Sequence, residues 1–210
     1  ISVIAAFVLC LQMVPMSVFS TEDYRSDAKI DNVFFLDSEN VSFTLLSGDA
    51  KAGYYVLAND YYGTHAYAES SGTGFSLTDS ESIGYWLNNG YITEDNTLPK
   101  QILGYIDYDH IWDEGKAGIS LLSKSDINEY KDKIGFTASF NHTEYTQNEW
   151  WYLRDINTEN PSRPYVAVGG SEVPGIKTVL GTTKNLVRPV FYLKPEFFKN
   201  VKIDVFKTRK

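Results

Sequence analysis

Trp150-Trp151-Tyr152-Leu153-Arg154 and Val187-Arg188-Pro189-Val190-Phe191-Tyr192-Leu193 decide how this chain is read. With the strand period of two, the first stretch puts Trp150, Tyr152 and Arg154 on one face and Trp151 and Leu153 on the other. Two adjacent tryptophans need cover on both faces, which is the demand of a central strand. The second stretch is β-branched and aromatic apart from Arg188 and Pro189, and reads as another central strand. Arg188 lies among apolar neighbours. Its guanidinium stays charged, so once buried it needs a carboxylate or several backbone carbonyls, and its expected role is structural.

Outward from these stretches, further strands are expected at residues 33–36, 41–46, 54–58 and 166–168, each bounded by Ser, Asn, Asp or Gly. Asn59-Asp60 signals a turn, and residues 61–68 are expected to return as a hairpin partner. The period then changes. Asp79 or Ser80 is expected to cap a helix carrying Ile83, Trp86 and Leu87, stopped at Asn89-Gly90. Pro99 suits the first position of a second helix, with Ile102, Leu103 and Ile106 on one face. Ser123 caps a third, with Asp126 three residues on, apolar positions at Ile127, Tyr130 and Ile134, and Gly135 just past its end. Strands, then helices, then strands make an α+β domain rather than alternating βαβ units.

The 210 residues suit one domain, and 43% hydrophobic with 15% aromatic content is ample for a core. A net charge of −8 is a poor match to phosphate backbones, so no nucleic-acid partner is expected. Residues 1–20 hold no charge, and the apolar run around Phe7 ends in Val18-Phe19-Ser20. That is the pattern of a signal peptide, read here as truncated at its start because the basic segment is missing. Gln12 and Pro15 interrupt the run, so no stable membrane span is expected once the leader is removed. Cys10, the single cysteine, leaves with it, so the mature chain is cysteine-free. The expected location is secreted or cell-surface. The organisation expected is a leader at 1–20, a polar connector at 21–32, a single α+β domain at 33–200, and a basic tail at 201–210 suited to linking a further module.

Catalytic signatures are scarce. There is no nucleophile elbow, no phosphate loop and no H-E-x-x-H, and Gly72-Thr73-Gly74 lacks a third glycine. His65, His110 and His142 are far apart. Asp107, Asp109, Asp113 and Glu114 are dense, but Trp112 stands where a calcium loop wants its glycine, so a solvated acidic face is the expected reading. No metal or other cofactor is expected. Asn40-Val41-Ser42 and Asn141-His142-Thr143 match the glycosylation acceptor pattern.

Tyr85-Trp86-Leu87-Asn88-Asn89-Gly90-Tyr91, Leu121-Leu122-Ser123 and the two stretches quoted first occur in an order that resembles a bacterial domain family of unknown function, found in secreted and surface proteins of gut and soil Firmicutes. The resemblance runs over about residues 34–198. It implies a branch of the C-type-lectin-like fold, shared with formylglycine-generating enzymes: a twisted antiparallel sheet, a few short helices and long loops. Formylglycine generation needs a cysteine pair, which the mature chain lacks. The calcium-sugar motifs of lectins are also missing, since Glu159-Asn160-Pro161 has the residue types in the wrong order.

Together these readings give a non-catalytic binding or accessory domain of a bacterial surface protein, with a glycan or peptide as ligand. A carboxylate-based hydrolase or carbohydrate-active enzyme and a structural spacer are the alternatives. The candidate ligand residues are Trp150, Tyr152 and Arg154, two aromatic faces beside a planar cation, together with Trp112. Against this stands the expectation that a Trp in so small a sheet is core.

Overall fold

The computed structural model describes residues 33–36, 41–59, 63–70, 74–91, 98–138, 150–168 and 175–206. The leader with Cys10, the connector, Asn40, Asn141, His142 and the last four residues lie outside them. The fold is α+β, with mostly antiparallel sheets and a few short helices.

The larger sheet has six strands. In chain order they are β1 (Val33–Leu36), β2 (Ser42–Asp49), β3 (Gly53–Ala58), β7 (Ile119–Leu121), β12 (Pro189–Leu193) and β13 (Ile203–Phe206). They lie in the order β13-β1-β2-β3-β12-β7, and every neighbouring pair is antiparallel. The β2–β3 turn needs glycine: Gly48 has φ 110°, and a Cβ there would come within 2.1 Å of Gly53 O. The smaller sheet has five strands, β4 (Thr64–Ala66), β8 (Trp150–Tyr152), β9 (Tyr165–Val168), β10 (Gly175–Thr178) and β11 (Lys184–Leu186), in the order β10-β9-β8-β11-β4. Its β8–β11 pair is parallel, with Leu186 opposite Trp151. A ribbon of β5 (Ile111–Trp112) and β6 (Gly115–Lys116) stands apart. The helices are α1 (Ile83–Asn89), α2 (Lys100–Leu103), α3 (Lys124–Glu129), α4 (Lys131–Ala138) and α5 (Phe197–Asn200).

Two buried clusters follow from the strand period. From β3, Tyr54, Val56 and Ala58 enter one cluster with Phe34, Phe43, Phe191 and Phe197. Tyr55 and Leu57 enter the other with Trp112, Ile127 and Val190. At β8, Tyr152 belongs to the first cluster and Trp151 and Leu153 to the second. Both faces of each central strand are therefore covered, as the adjacent tryptophans required.

Several expectations are corrected. Residues 64–66 do not return on β3, whose two edges are taken by β2 and β12; they pair with β11 instead. Ser82, not Asp79 or Ser80, caps α1, its side chain accepting from Gly84 N at 3.3 Å. Pro99 is the cap of α2 rather than its first residue. The Ser123–Asp126 capping box forms as expected, but the helix breaks at Tyr130 and Gly135 falls inside α4. Part of the expected tail is sheet, because residues 203–206 pair with β1. Arg188 is wholly buried just before β12: Nε donates to Ala58 O at 3.0 Å, Nη2 to Asn59 Oδ1 at 3.3 Å, and the guanidinium carbon lies 5.2 Å from the centre of the Trp151 ring.

Candidate functional site

The chain leaves β8 in a way that builds a site. Leu153 N still donates to Tyr165 O in the smaller sheet, at 3.0 Å. The next residue crosses over: Arg154 N donates to Leu122 O, beyond the end of β7, at 3.0 Å. This crossing carries the guanidinium to the end of β7. Arg154 Nη1 donates to Leu121 O at 2.8 Å and to Asp126 Oδ2 at 2.9 Å. Its Nε is 4.0 Å from Glu114 Oε1, and its guanidinium carbon is 5.3 Å from the centre of the Trp112 ring.

Asp126 reaches this point because the capping box fixes it at the start of α3. Its Oδ2 also accepts from Ser123 N at 2.6 Å, Ser123 Oγ at 2.7 Å and Tyr55 Oη at 3.1 Å. With Arg154, that makes four donors on one oxygen. Burial and the neighbouring Asp126 charge push the Tyr55 hydroxyl well above its usual range, so it stays protonated and donates.

The ribbon supplies the rest. The segment leading into it is tied to β12 where Asp107 N donates to Tyr192 O, at 2.8 Å, and Trp112 is held locally by its Nε1 donating to Ala117 O, also at 2.8 Å. His110 then stacks on Tyr192, with centres 3.7 Å apart and planes 18° apart. Tyr192 stacks in turn on Tyr55 at 4.8 Å and 13°, its cross-strand partner. Trp112 flanks His110 edge-on at 4.8 Å. His110 and Tyr192 are half-buried, so the top of the stack meets solvent. Burial holds the His110 ring below its usual pKa, and Arg154 pushes the same way against Asp107, so near neutral pH the ring is uncharged.

Glu114, in the ribbon turn, is the exception to this satisfied network. Its Oε2 is buried and receives no hydrogen bond from any described residue. Burial raises its carboxyl above the usual range, and Asp113 and Asp155 add to the shift, while its own backbone N–H and Arg154 pull back. Asp155 is itself engaged, accepting from Lys124 N at 2.6 Å.

Of the four residues singled out from the sequence, Trp112 and Arg154 come together here and Trp150 and Tyr152 do not. Tyr152 is fully buried, its hydroxyl donating to Thr183 O. Trp150 is half-buried against the first cluster, with Lys177 Nζ 5.4 Å from its ring centre. The one-face stripe fails because the strand ends at Tyr152, so a period of two no longer governs Arg154. Sequence reasoning missed Glu114, Asp126, Tyr55, His110 and Tyr192 as members of one cluster. Asp126 carried a local signal, its capping box; the others are joined only through the tertiary fold.

No family model, no curated protein and no solved structure matches the chain. Among the described residues, no helix is long and apolar enough to cross a membrane.

Proposed function

We propose that this is a non-catalytic binding or accessory domain of a secreted bacterial surface protein, built on a C-type-lectin-like variant of the α+β fold. Its ligand site is the cluster in which Glu114 meets Arg154, Arg154 meets Trp112, and Trp112 flanks the His110–Tyr192 stack. The observation that carries this reading is Glu114 Oε2, a buried carboxylate oxygen that receives no hydrogen bond from any described residue, in the turn of the ribbon that follows the half-buried His110. Buried polar groups are almost always satisfied, so an orphan acceptor is a place that a water or a ligand donor completes. The test is a glycan and peptide array probed with the purified domain. His110→Ala and Glu114→Gln should abolish retention of the ligand found while each variant still melts cooperatively as a folded domain. Retention unchanged in both variants would refute this site.

A second reading, a carboxylate-based hydrolase, draws on the raised carboxyl of Glu114, which suits a general acid. Such chemistry uses two carboxyl groups. Asp126 is a weak second member, because its Oδ2 already accepts four hydrogen bonds. Release of product from the array ligands, lost in Glu114→Gln, would favour this reading over binding alone.

A further inference from the structure

We infer that the outer edge of β10 is a docking edge for an extended segment of a partner protein, which adds to the smaller sheet as a further antiparallel strand and sets an acidic side chain opposite Lys177. The inference does not involve the Arg154 cluster and goes beyond the reading above.

The first step concerns which backbone groups face outward. β10 ends the smaller sheet and has β9 on one side only. The register pairs Thr178 with Tyr165 and Gly175 with Val168, and one step beyond it Val179 N donates to Pro164 O at 3.2 Å. In an antiparallel ladder, hydrogen-bonded and non-hydrogen-bonded pairs alternate. The bonds to β9 therefore belong to Lys177 and Gly175, and Ile176 and Thr178 turn their N–H and C=O groups away from it. No described residue hydrogen-bonds those outward groups. Gly175, Ile176 and Lys177 are exposed, and nothing lies within 4 Å of the place a Cβ would take at Gly175. A partner strand therefore reaches this edge directly from solvent.

The second step contrasts this edge with two that are closed. At β7, Asn88 Oδ1 accepts from Gly118 N at 3.1 Å and Ile119 N at 3.0 Å, and its Nδ2 donates to Ile119 O at 2.8 Å. Arg154 takes the next outward carbonyl there, Leu121 O. At β4, His65 Nδ1 donates to Ala66 O at 2.6 Å. An unpaired edge is a template for another strand, and native sheets block it with side chains such as these. Among the described residues, β10 carries no such block.

The third step concerns the occupant. Two copies of β10 that shared the outward groups of Ile176 and Thr178 would put Lys177 of one copy directly opposite Lys177 of the other. That is the closer, non-hydrogen-bonded position, where like charges destabilise the pair. The same position attracts an acidic side chain. Lys177 lies on the face of Trp150, its Nζ 5.4 Å from that ring centre. Ile176 lies on the other face, in line with Ala167 and Trp151 through the register. A β-branched partner residue opposite Ile176 extends that buried row. The matching segment is therefore an Asp or Glu between two β-branched residues: its main chain supplies the hydrogen bonds, and its alternate side chains select the sequence.

The experiment uses fluorescein-labelled Thr-Val-Glu-Val-Thr, Thr-Val-Gln-Val-Thr and Thr-Val-Lys-Val-Thr peptides, read by anisotropy against the purified chain. Expected is about fivefold tighter binding of the Glu peptide than of the Lys peptide, with the order reversed in Lys177→Glu. Ile176→Pro removes an outward donor and spares the ladder to β9, so it should abolish binding of all three. If that variant does not fold, amide hydrogen exchange of the wild-type chain carries the test. The Ile176 and Thr178 amides should exchange fast in the free chain and slowly with the Glu peptide, while the Lys177 amide is unchanged. Equal binding of the Glu and Lys peptides, no binding of any peptide, or no new protection at Ile176 and Thr178 overturns the inference. A concentration-dependent dimer that Ile176→Pro abolishes would give the edge to a second copy of the chain and overturn it as well.

Discussion

Replacing Asp126 by Ala should strongly destabilise the domain, although Asp126 touches no proposed ligand. Its Oδ2 collects four donors from three residues: Ser123 N and Oγ, Arg154 Nη1 and Tyr55 Oη. The Arg154 side chain is only 11% exposed, so removing its carboxylate leaves a buried charge poorly compensated, at a cost of about 3–5 kcal/mol. Loss of the capping box adds about 1 kcal/mol. The stranded Tyr55 hydroxyl adds about 1–3 kcal/mol. These contributions share partners and do not sum, so the expected loss is about 4–6 kcal/mol. Against a total stability of about 5–15 kcal/mol, that is between about a quarter of the margin and all of it. Urea denaturation followed by tryptophan fluorescence measures it. The double variant Asp126→Leu with Arg154→Met supplies the control: swapping a buried pair for apolar groups is often neutral or better, so the double variant should be more stable than Asp126→Ala. A loss below about 1 kcal/mol for Asp126→Ala would refute the claim that this carboxylate is the hub of the cluster.

Arg188→Ala should cost about 2–5 kcal/mol, because it opens a cavity against the Trp151 face and removes the donor to Ala58 O, while Asn59 Oδ1 keeps the Thr44 hydroxyl; an unchanged thermal melt would place Arg188 outside the core. Trp151→Ala should cost about 5 kcal/mol and Trp150→Ala about 3 kcal/mol, since the first is fully buried and the second half-buried; chemical denaturation giving the reverse order would contradict the assignment of the two faces. Glu114→Gln should stabilise the ligand-free domain at pH 7 by on the order of 1 kcal/mol. The sign follows from a raised carboxyl: the folded chain holds that proton more tightly than the unfolded one, so stability is lost as pH rises from the ordinary carboxylate range through the raised value. Below the ordinary range both forms are neutral and the advantage should vanish, which thermal melts at pH 3 and pH 7 would show.

The strands and caps that depend on near neighbours were legible in the sequence. β1 and β3 lie where their β-branched and aromatic runs put them, and the Ser123–Asp126 box needs only its own three-residue spacing. What failed depends on competition between distant elements. A hairpin from β3 to residues 64–66 is locally reasonable, but β12 brings Val190, Phe191, Tyr192 and Leu193 to that edge and wins it. Tyr130 ends α3 where the apolar spacing alone continues through Ile134. β10 and β11 escaped notice because Gly-Ile-Lys-Thr and Lys-Asn-Leu carry no alternation, and their pairing is set by the neighbours they meet.

The same distinction explains why Arg154 left the expected ligand stripe. A period of two is a property of a strand, and it holds only while the ladder continues. At Leu153 the backbone still bonds to β9's Tyr165, and one residue later it bonds to Leu122 in the connection between β7 and α3. Arg154 is therefore placed by the junction between the two sheets and not by β8. Groups from β3, the ribbon, α3 and β12 converge at this junction, with the Arg154 charge between them. A guanidinium with five donors can be shared among a carbonyl, a carboxylate and an aromatic face in a way a single strand face could not offer. The two sheets meet over a network that saturates Asp126 Oδ2 and leaves Glu114 Oε2 buried without a hydrogen bond from any described residue. Variants that loosen the junction should therefore impair binding and stability together, whereas Glu114→Gln should separate them, gaining stability while losing the ligand.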